Sequence, residues 1–218
     1  MTRRLFAFAA ALALAALFAG ANVPARRPAA LGALGRGPTV VLVHGLGSQA
    51  EHWLPVARNL GRDHRVVFVD LPGHGLAEMP RELSLEQAAF ALDRAIREQG
   101  DEPVVLVGHS VGGLVAAAEA LRAPGRVRAL VLVETALRPQ LAPPERGALL
   151  AVLAARSWPD SESWAVAGAS LGYAAAPGVT PVRVEGVGHF VMLDRPALLA
   201  DLIRRFARGS GAPVLAAR

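Results

Sequence analysis

The stretch that decides the fold is VVLVGHSVGGLVAAAEAL, residues 104–121. Its first residues form an apolar run that suits a strand buried on both faces, and its last eight residues favour a helix. Between these segments Gly108 and Gly112 lie two residues on either side of Ser110. The pattern predicts a sharp strand-to-helix turn at Ser110, because glycines at those positions remove side chains that would collide in the turn. Ser110 is then either an exposed nucleophile or only a small residue in a tight bend.

Short apolar runs rich in Val and Leu recur along the chain on both sides of this turn. They occupy residues 39–45, 65–71, 103–109, 127–135, 148–155 and 179–189. Helical patterns separate them, as in residues 83–99, where Ser84 and Gln87 have the spacing of a capping box. A last helix is predicted over residues 196–207, with Asp194 as its N-cap. Strands that alternate with helices predict an α/β fold with a mostly parallel sheet of about six strands flanked by helices.

The two ends of the chain differ in composition from this alternating region. Residues 1–21 combine an arginine-containing start, an apolar run of fifteen residues and an Ala-x-Ala end, which is typical of a secretory signal peptide cleaved after Ala21. The run is shorter than the roughly twenty residues that span a bilayer, so a permanent N-terminal membrane anchor is the alternative. Residues 22–38 predict a linker, 39–208 a single domain and 209–218 a C-terminal tail. We expect a secreted or periplasmic protein with no stable membrane insertion once the signal is cleaved.

The composition excludes several classes of function. The chain has no cysteine, which removes disulfides, thiolate catalysis and cysteine metal sites. Its 23 basic residues are all arginine and are scattered without a basic run or interleaved aromatic residues, so we expect a solvated surface and no nucleic-acid partner. No metal and no cofactor are implied.

Four segments carry a resemblance to a known family. They are VHGLGSQAEHW, DLPGHG, GHSVGG and GVGHFVMLDRP, in that order along the chain. In this combination the sequence resembles the α/β-hydrolase superfamily from Thr39 to Ala207. The resemblance implies an α/β-hydrolase fold in which the first segment is the oxyanion loop, the third is the nucleophile elbow and the last carries the catalytic histidine.

The chain departs from the family pattern at two places. Many members carry one or two strands before the strand that leads into the oxyanion loop, and residues 22–38 are too few and too rich in Pro and Gly to supply a hairpin. Many also insert a helical cap where this chain has only residues 136–147 between two predicted strands. The sequence is therefore similar to the small esterases and lipases of bacteria that have no cap domain.

A serine hydroxyl is a weak nucleophile at neutral pH and needs a base within hydrogen-bond reach. Of the six histidines, His189 follows the last predicted strand among glycines, and a loop there can carry it to the carboxyl edge where Ser110 lies. His44 is better explained by a structural hydrogen bond, and His109, next to Ser110 on a strand, is expected to point to the opposite face. We predict Ser110 as the nucleophile and His189 as the base.

The acid that orients the histidine has two candidates. The resemblance implies the order nucleophile, acid, histidine, which places the acid between residues 111 and 188 just after a strand. Asp160 fits this position and is favoured, and Glu134 at the end of an earlier strand is the alternative. The structural explanations are a helix N-cap for Asp160 and a surface contact for Glu134.

Main-chain groups complete the predicted site. The resemblance implies an oxyanion hole formed by the backbone N–H groups of Leu46 and Val111. Trp53 is a candidate for the substrate-binding acyl pocket, and a core position explains this aromatic residue equally well.

These residues predict a serine hydrolase that cleaves carboxylic esters through a Ser-His-Asp triad and an acyl-enzyme intermediate. The expected partner is a small-molecule or lipid ester. The same triad also serves a haloperoxidase-like perhydrolase, a thioesterase or a lactonase, and a non-catalytic binding protein with this fold is the alternative from another class.

Overall fold

The computed structural model describes residues 30–135, 148–154 and 179–208. The predicted signal peptide over residues 1–21, the candidate acid Asp160 and the predicted tail over residues 209–218 lie outside the described residues.

The described strands form one sheet with the order β1-β3-β2-β4-β5-β6-β7. These strands are β1 (Ala30–Leu34), β2 (Thr39–Val43), β3 (Arg65–Val69), β4 (Val104–His109), β5 (Val127–Val133), β6 (Ala148–Ala154) and β7 (Val179–Val184). All neighbouring strands run parallel except β1, which is antiparallel to β3. The six strands predicted from apolar runs are present, which confirms the mostly parallel sheet.

Helices connect most of the parallel strands. They are α1 (Leu54–Leu60), α2 (Leu85–Arg97), α3 (Val111–Arg122), α4 (Val191–Asp194) and α5 (Pro196–Ala207), with 3-10 turns at Ala50–Trp53 and Pro124–Arg126. The predicted capping of α2 is confirmed, because the Gln87 N–H donates to Ser84 Oγ at 3.1 Å. The predicted N-cap of the last helix is wrong: Arg195 precedes α5, and Asp194 ends α4 and accepts a hydrogen bond from the backbone of the preceding loop.

The prediction of a linker over residues 22–38, with no strand before β2, is wrong at its C-terminal end. Residues Ala30–Leu34 form β1, whose register pairs Leu34 with Val66 of β3. Gly35 permits the turn that follows, because its φ is +78° and a Cβ there would overlap the carbonyl oxygens of Gly61 and His64. Alanine and glycine have low strand propensity, so the strand depends on main-chain pairing with β3, which the local sequence does not reveal.

The strands β2, β3, β4 and β5 are buried along most of their length, as expected for a parallel sheet covered by helices on both faces. Val40 and Leu42 belong to one apolar cluster with α1 and α5, while Val41 and Val43 belong to a second cluster with α2 and α3. This alternation along β2 follows from the period of two in a strand. Because β2, β4, β5, β6 and β7 are parallel, the loops after β2, β4, β5 and β7 lie at the same carboxyl edge of the sheet.

Within the described ranges, no helix combines the length and the apolar character needed to cross a membrane.

Candidate active site

Ser110 occupies the sharp turn that the sequence predicts between β4 and α3. Its backbone has φ 51° and ψ −121°, in a region that residues with a side chain rarely adopt. A Cβ on Gly112 would overlap the carbonyl oxygen of His44, and one on Gly108 would lie 2.5 Å from the carbonyl oxygen of Gly112. The flanking glycines therefore allow the close contact between backbone segments that places Ser110 at the apex.

Glu134 is the first residue after β5 and shares the unusual backbone of Ser110. Its φ is 52°, and these two are the residues other than glycine with positive φ in the part of the chain that the structure describes. They are also neighbours, since the Ser110 N–H donates to the carbonyl oxygen of Val133 at 2.9 Å. Strained backbone persists only where the surrounding structure imposes it, and such residues cluster at functional sites.

The Glu134 carboxylate contacts the imidazole of His189. Oε2 of Glu134 lies 3.3 Å from Nδ1 of His189. The Glu134 side chain is 3% exposed, whereas that of His189 is 46% exposed. A carboxylate only accepts, so this contact requires the proton on Nδ1, and the neutral tautomer with that proton leaves Nε2 as an acceptor.

His109, the last residue of β4, holds the same loop from its other side. Its Nε2–H donates to the carbonyl oxygen of His189 at 2.8 Å, and the two ring centroids are 4.7 Å apart. His109 is buried, and burial lowers its pKa to about 4, which keeps the ring neutral at neutral pH. The sequence predicts only that this side chain points away from Ser110, so this contact was missed. Two residues 80 positions apart leave no local pattern.

These contacts form a closed path through the site. Ser110 is bonded to Val133, Val133 precedes Glu134, Glu134 contacts His189, and His189 is bonded to His109, the residue before Ser110. The path joins the ends of β4 and β5 to the loop after β7. The path runs through the main-chain N–H of Ser110 and the main-chain oxygen of His189, and it brings together residues whose hydroxyl, imidazole and carboxylate are the groups that nucleophilic acyl transfer requires.

The loop after β2 passes directly beside Ser110. A Cβ on Gly45 would stand 3.0 Å from the Cβ of Ser110, so only glycine leaves room for this approach. Leu46 is the next residue and is 51% exposed. Val111 begins α3, and the first N–H groups of a helix have no partner within the helix. The backbones that carry the two predicted oxyanion donors thus border Ser110.

His44 makes the structural hydrogen bonds that the sequence favours over a catalytic role. Its Nδ1 donates to the carbonyl oxygen of Gly45 at 2.8 Å, and its Nε2 accepts from the Leu71 N–H at 3.0 Å. Burial lowers the pKa of His44, so the neutral ring fits these two partners. The ring links the loops after β2 and β3.

Two further groups complete the account of the predicted residues. Trp53 is fully buried in the apolar cluster beside α1, which fits the core position rather than the acyl pocket. Asp194 was missed as a support of the histidine loop: its Oδ2 accepts from the Gly188 N–H at 2.7 Å. Across the described residues, no cluster of three or more potential side-chain ligands could hold a metal ion.

Comparison with known proteins supports one family. The family model described as alpha/beta hydrolase fold matches residues 38–163, which is more than half of the chain. Among solved structures, a bacterial membrane phospholipase A superposes with a TM-score of 0.69 at 20% identity, covering 97% of this chain and 100% of that one. This likeness concerns the fold.

Two curated relatives are pimeloyl-[acyl-carrier protein] methyl ester esterases. The protein from Pseudoalteromonas atlantica is 38% identical over 104 residues, which cover 47% of this chain and 39% of the relative. The protein from Methylococcus capsulatus is 41% identical over 99 residues, covering 45% of this chain and 37% of the relative. The aligned part of this chain thus spans less than half the length of either relative.

Proposed function

The chain belongs to the alpha/beta hydrolase fold family, and from this premise we propose that it is a serine hydrolase that cleaves carboxylic esters. Ser110 is the nucleophile and His189 the general base. The observation that carries the proposal is the contact between Glu134 and His189, on a path of bonds that leads back to the strained turn at Ser110.

Glu134 is our choice for the acid that orients His189. Its buried carboxylate, its 3.3 Å distance to Nδ1 and its positive φ support this role. The sequence favours Asp160, which lies outside the described residues and stays the alternative. With either acid, the imidazole keeps the tautomer whose Nε2 accepts a proton.

The reaction follows from these roles. Ser110 Oγ attacks the acyl carbon while Nε2 of His189 takes its proton, and the N–H groups of Leu46 and Val111 stabilise the oxyanion. The imidazolium then protonates the leaving alcohol as the ester bond breaks and leaves an acyl group on Ser110. Water, deprotonated by His189, attacks this acyl group, and the acid is released as the proton returns to Ser110.

The names of the curated relatives favour a carboxylic ester, and the surface around the site favours one with an apolar acyl part. Both relatives are named methyl ester esterases. Leu46 and Phe190 in the loops beside the site and Leu193 in α4 are exposed, and these apolar side chains suit contact with an acyl chain. Perhydrolase, thioesterase and lactonase activities need the same nucleophile and are separated by assay with peroxide, thioesters and lactones.

A fluorophosphonate probe with a panel of chromogenic esters tests the proposal. The probe labels an activated serine, so we expect one adduct on the wild type and none on Ser110→Ala, together with ester hydrolysis that disappears in the same variant.

Ser84→Ala is the matched control. It removes the N-cap of α2, a helix that contributes none of the proposed site residues, and costs about 1 kcal/mol of stability. We expect its labelling to persist. A wild type that neither reacts with the probe nor cleaves any ester would contradict the hydrolase and favour the non-catalytic binding protein.

A further inference from the structure

His109 is a buried polar residue next to the nucleophile, and the proposed reaction gives its side chain no role. It is 1% exposed and ends β4, so its backbone is fixed by the centre of the sheet. A buried imidazole costs free energy unless its polar atoms have partners. Its contacts therefore indicate what the residue does.

One side of the ring contacts the loop that carries the proposed base. Nε2 donates to the main-chain oxygen of His189 at 2.8 Å, and a carbonyl can only accept, so this bond requires the proton on Nε2. The ring also lies 4.7 Å from the ring of His189 and 5.4 Å from that of Phe190, measured between centroids. The bond fixes the main chain of His189, while Glu134 contacts Nδ1 of its ring.

The other side of the ring meets the loop that borders the oxyanion site. A Cβ on Gly45 would stand only 2.9 Å from Nδ1 of His109. Nδ1 is buried and, within the described residues, has no hydrogen-bond partner. The ring therefore fills the space between the Gly45 backbone and the His189 loop, and the hydrogen bond of Nε2 is its directional contact.

We propose that His109 is a positioning residue that sets the distance between the proposed base, His189, and the oxyanion loop at Gly45. This inference rests on the proposed serine hydrolase activity. His109 contacts no substrate. It acts by holding the His189 main chain, and displacements of about 1 Å in a catalytic group cost up to roughly a hundredfold in rate.

Three substitutions separate the hydrogen bond from the volume of the ring. His109→Gln places an amide nitrogen where Nε2 lies and restores a donor to the His189 carbonyl oxygen. His109→Asn places its amide nearer to the Nδ1 position and does not reach that oxygen. His109→Phe keeps a ring of similar size without a donor. If this variant fails to fold, the comparison of His109→Gln with His109→Asn still tests the role of the hydrogen bond.

Steady-state ester hydrolysis and the rate of fluorophosphonate labelling are measured for each variant, with thermal unfolding alongside. We expect kcat to fall roughly ten- to a hundredfold for His109→Asn and His109→Phe, and the labelling rate to fall in parallel, while KM changes less than about twofold. For His109→Gln we expect kcat to stay within about threefold of the wild type. The ranking of the variants by kcat should therefore differ from their ranking by unfolding temperature.

The result that overturns the inference is a Ser110-dependent wild-type activity with all three variants equally active, or with His109→Gln as impaired as His109→Asn. Loss of the proposed function itself has a different signature, because the wild type then fails to react with the probe before any His109 variant is compared.

Discussion

At the scale of single residues, the site is marked by backbone strain as much as by side-chain chemistry. Ser110 and Glu134 follow adjacent parallel strands, and both take a positive φ that costs of order 1–3 kcal/mol for a residue with a side chain. At Ser110 the strain exposes the hydroxyl at the turn. At Glu134 it sends the chain out of β5 so that a carboxylate with 3% exposure meets His189.

The identity of the acid can be decided by substitution. If Glu134 orients His189, Glu134→Gln leaves a side chain of nearly the same shape that no longer stabilises the imidazolium, and turnover falls on the order of ten-thousandfold. Asp160→Asn is the matched variant and is expected to keep near-normal kcat. Both are measured with one chromogenic ester, beside fluorophosphonate labelling. A large loss for Asp160→Asn with an active Glu134→Gln would assign the acid to Asp160.

The sequence nominates both acids and favours Asp160, whereas the contact with His189 supports Glu134. The motifs around Ser110 and His189 are local, so their residues can be identified from spacing. The acid is defined by the direction the chain takes after a strand, and the positive φ of Glu134 is imposed by tertiary contacts. The hydrogen bond from His109 to His189 could not be predicted for the same reason, because it joins residues 80 positions apart.

At the scale of elements, helix α3 directly follows Ser110 and carries a buried carboxyl group near its end. Glu119 is fully buried against α2, and its Oε2 accepts from Arg122 Nη2 at 2.8 Å. The same guanidinium lies 2.9 Å from Asp93 of α2. Burial raises the pKa of Glu119 to about 7, although the Arg122 guanidinium opposes the shift. The stability of the packing of α3 on α2 thus depends on the protonation of Glu119.

This linkage predicts a loss of stability as pH rises. The folded state holds the Glu119 proton up to about pH 7, whereas the unfolded chain releases it near 4.5, so the favourable contribution is complete below 4.5 and is lost as pH rises through 7. Relative to Glu119→Gln, we expect the wild type to lose about 2–3 kcal/mol of unfolding free energy between pH 5 and pH 8.

Urea unfolding of both proteins at the two pH values measures this difference. The buried histidines His44 and His109 have lowered pKa values, and their contributions rise with pH, but they are common to both proteins and cancel in the comparison. Wild type and Glu119→Gln curves that stay parallel across this range would contradict a protonated Glu119.

At the scale of the whole molecule, the central strands and the helices could be predicted from the sequence, whereas the edge strand β1 of the sheet could not. Six strands follow from apolar runs because a strand buried on both faces needs continuous Val and Leu. The strand β1 could not be predicted, since its residues Ala30–Leu34 have little strand propensity and depend on pairing with β3. The bounds of α5 follow from its sequence, but the place where it packs depends on distant residues in the first half of the domain.

Asp63 joins these distant parts. Its carboxylate accepts from Arg204 Nε of α5 at 3.0 and 3.1 Å, although the two residues are 141 positions apart. Arg204 also donates to the carbonyl oxygen of Asn59 in α1 at 2.8 Å. Burial tends to raise the pKa of Asp63, but hydrogen bonds from Arg204, His64 and Arg208 outweigh it and lower the pKa to about 2. The bridge therefore links α1 to α5 in its charged form.

Asp63→Asn is expected to lose about 1–2 kcal/mol of unfolding free energy at pH 7, less than the full pKa shift implies because the pair is partly exposed. Asp201→Asn is the control: its pairs with Arg204 and Arg205 lie within α5 and are more exposed, so it should cost at most about 0.5 kcal/mol.

Because the folded pKa of Asp63 is depressed, its contribution is present above pH 3.8 and is lost as pH falls through about 2. Urea unfolding should therefore show the cost of Asp63→Asn shrinking below about pH 4. Equal losses for the two variants at pH 7 would mean that the bridge between α1 and α5 stabilises the domain no more than a surface pair.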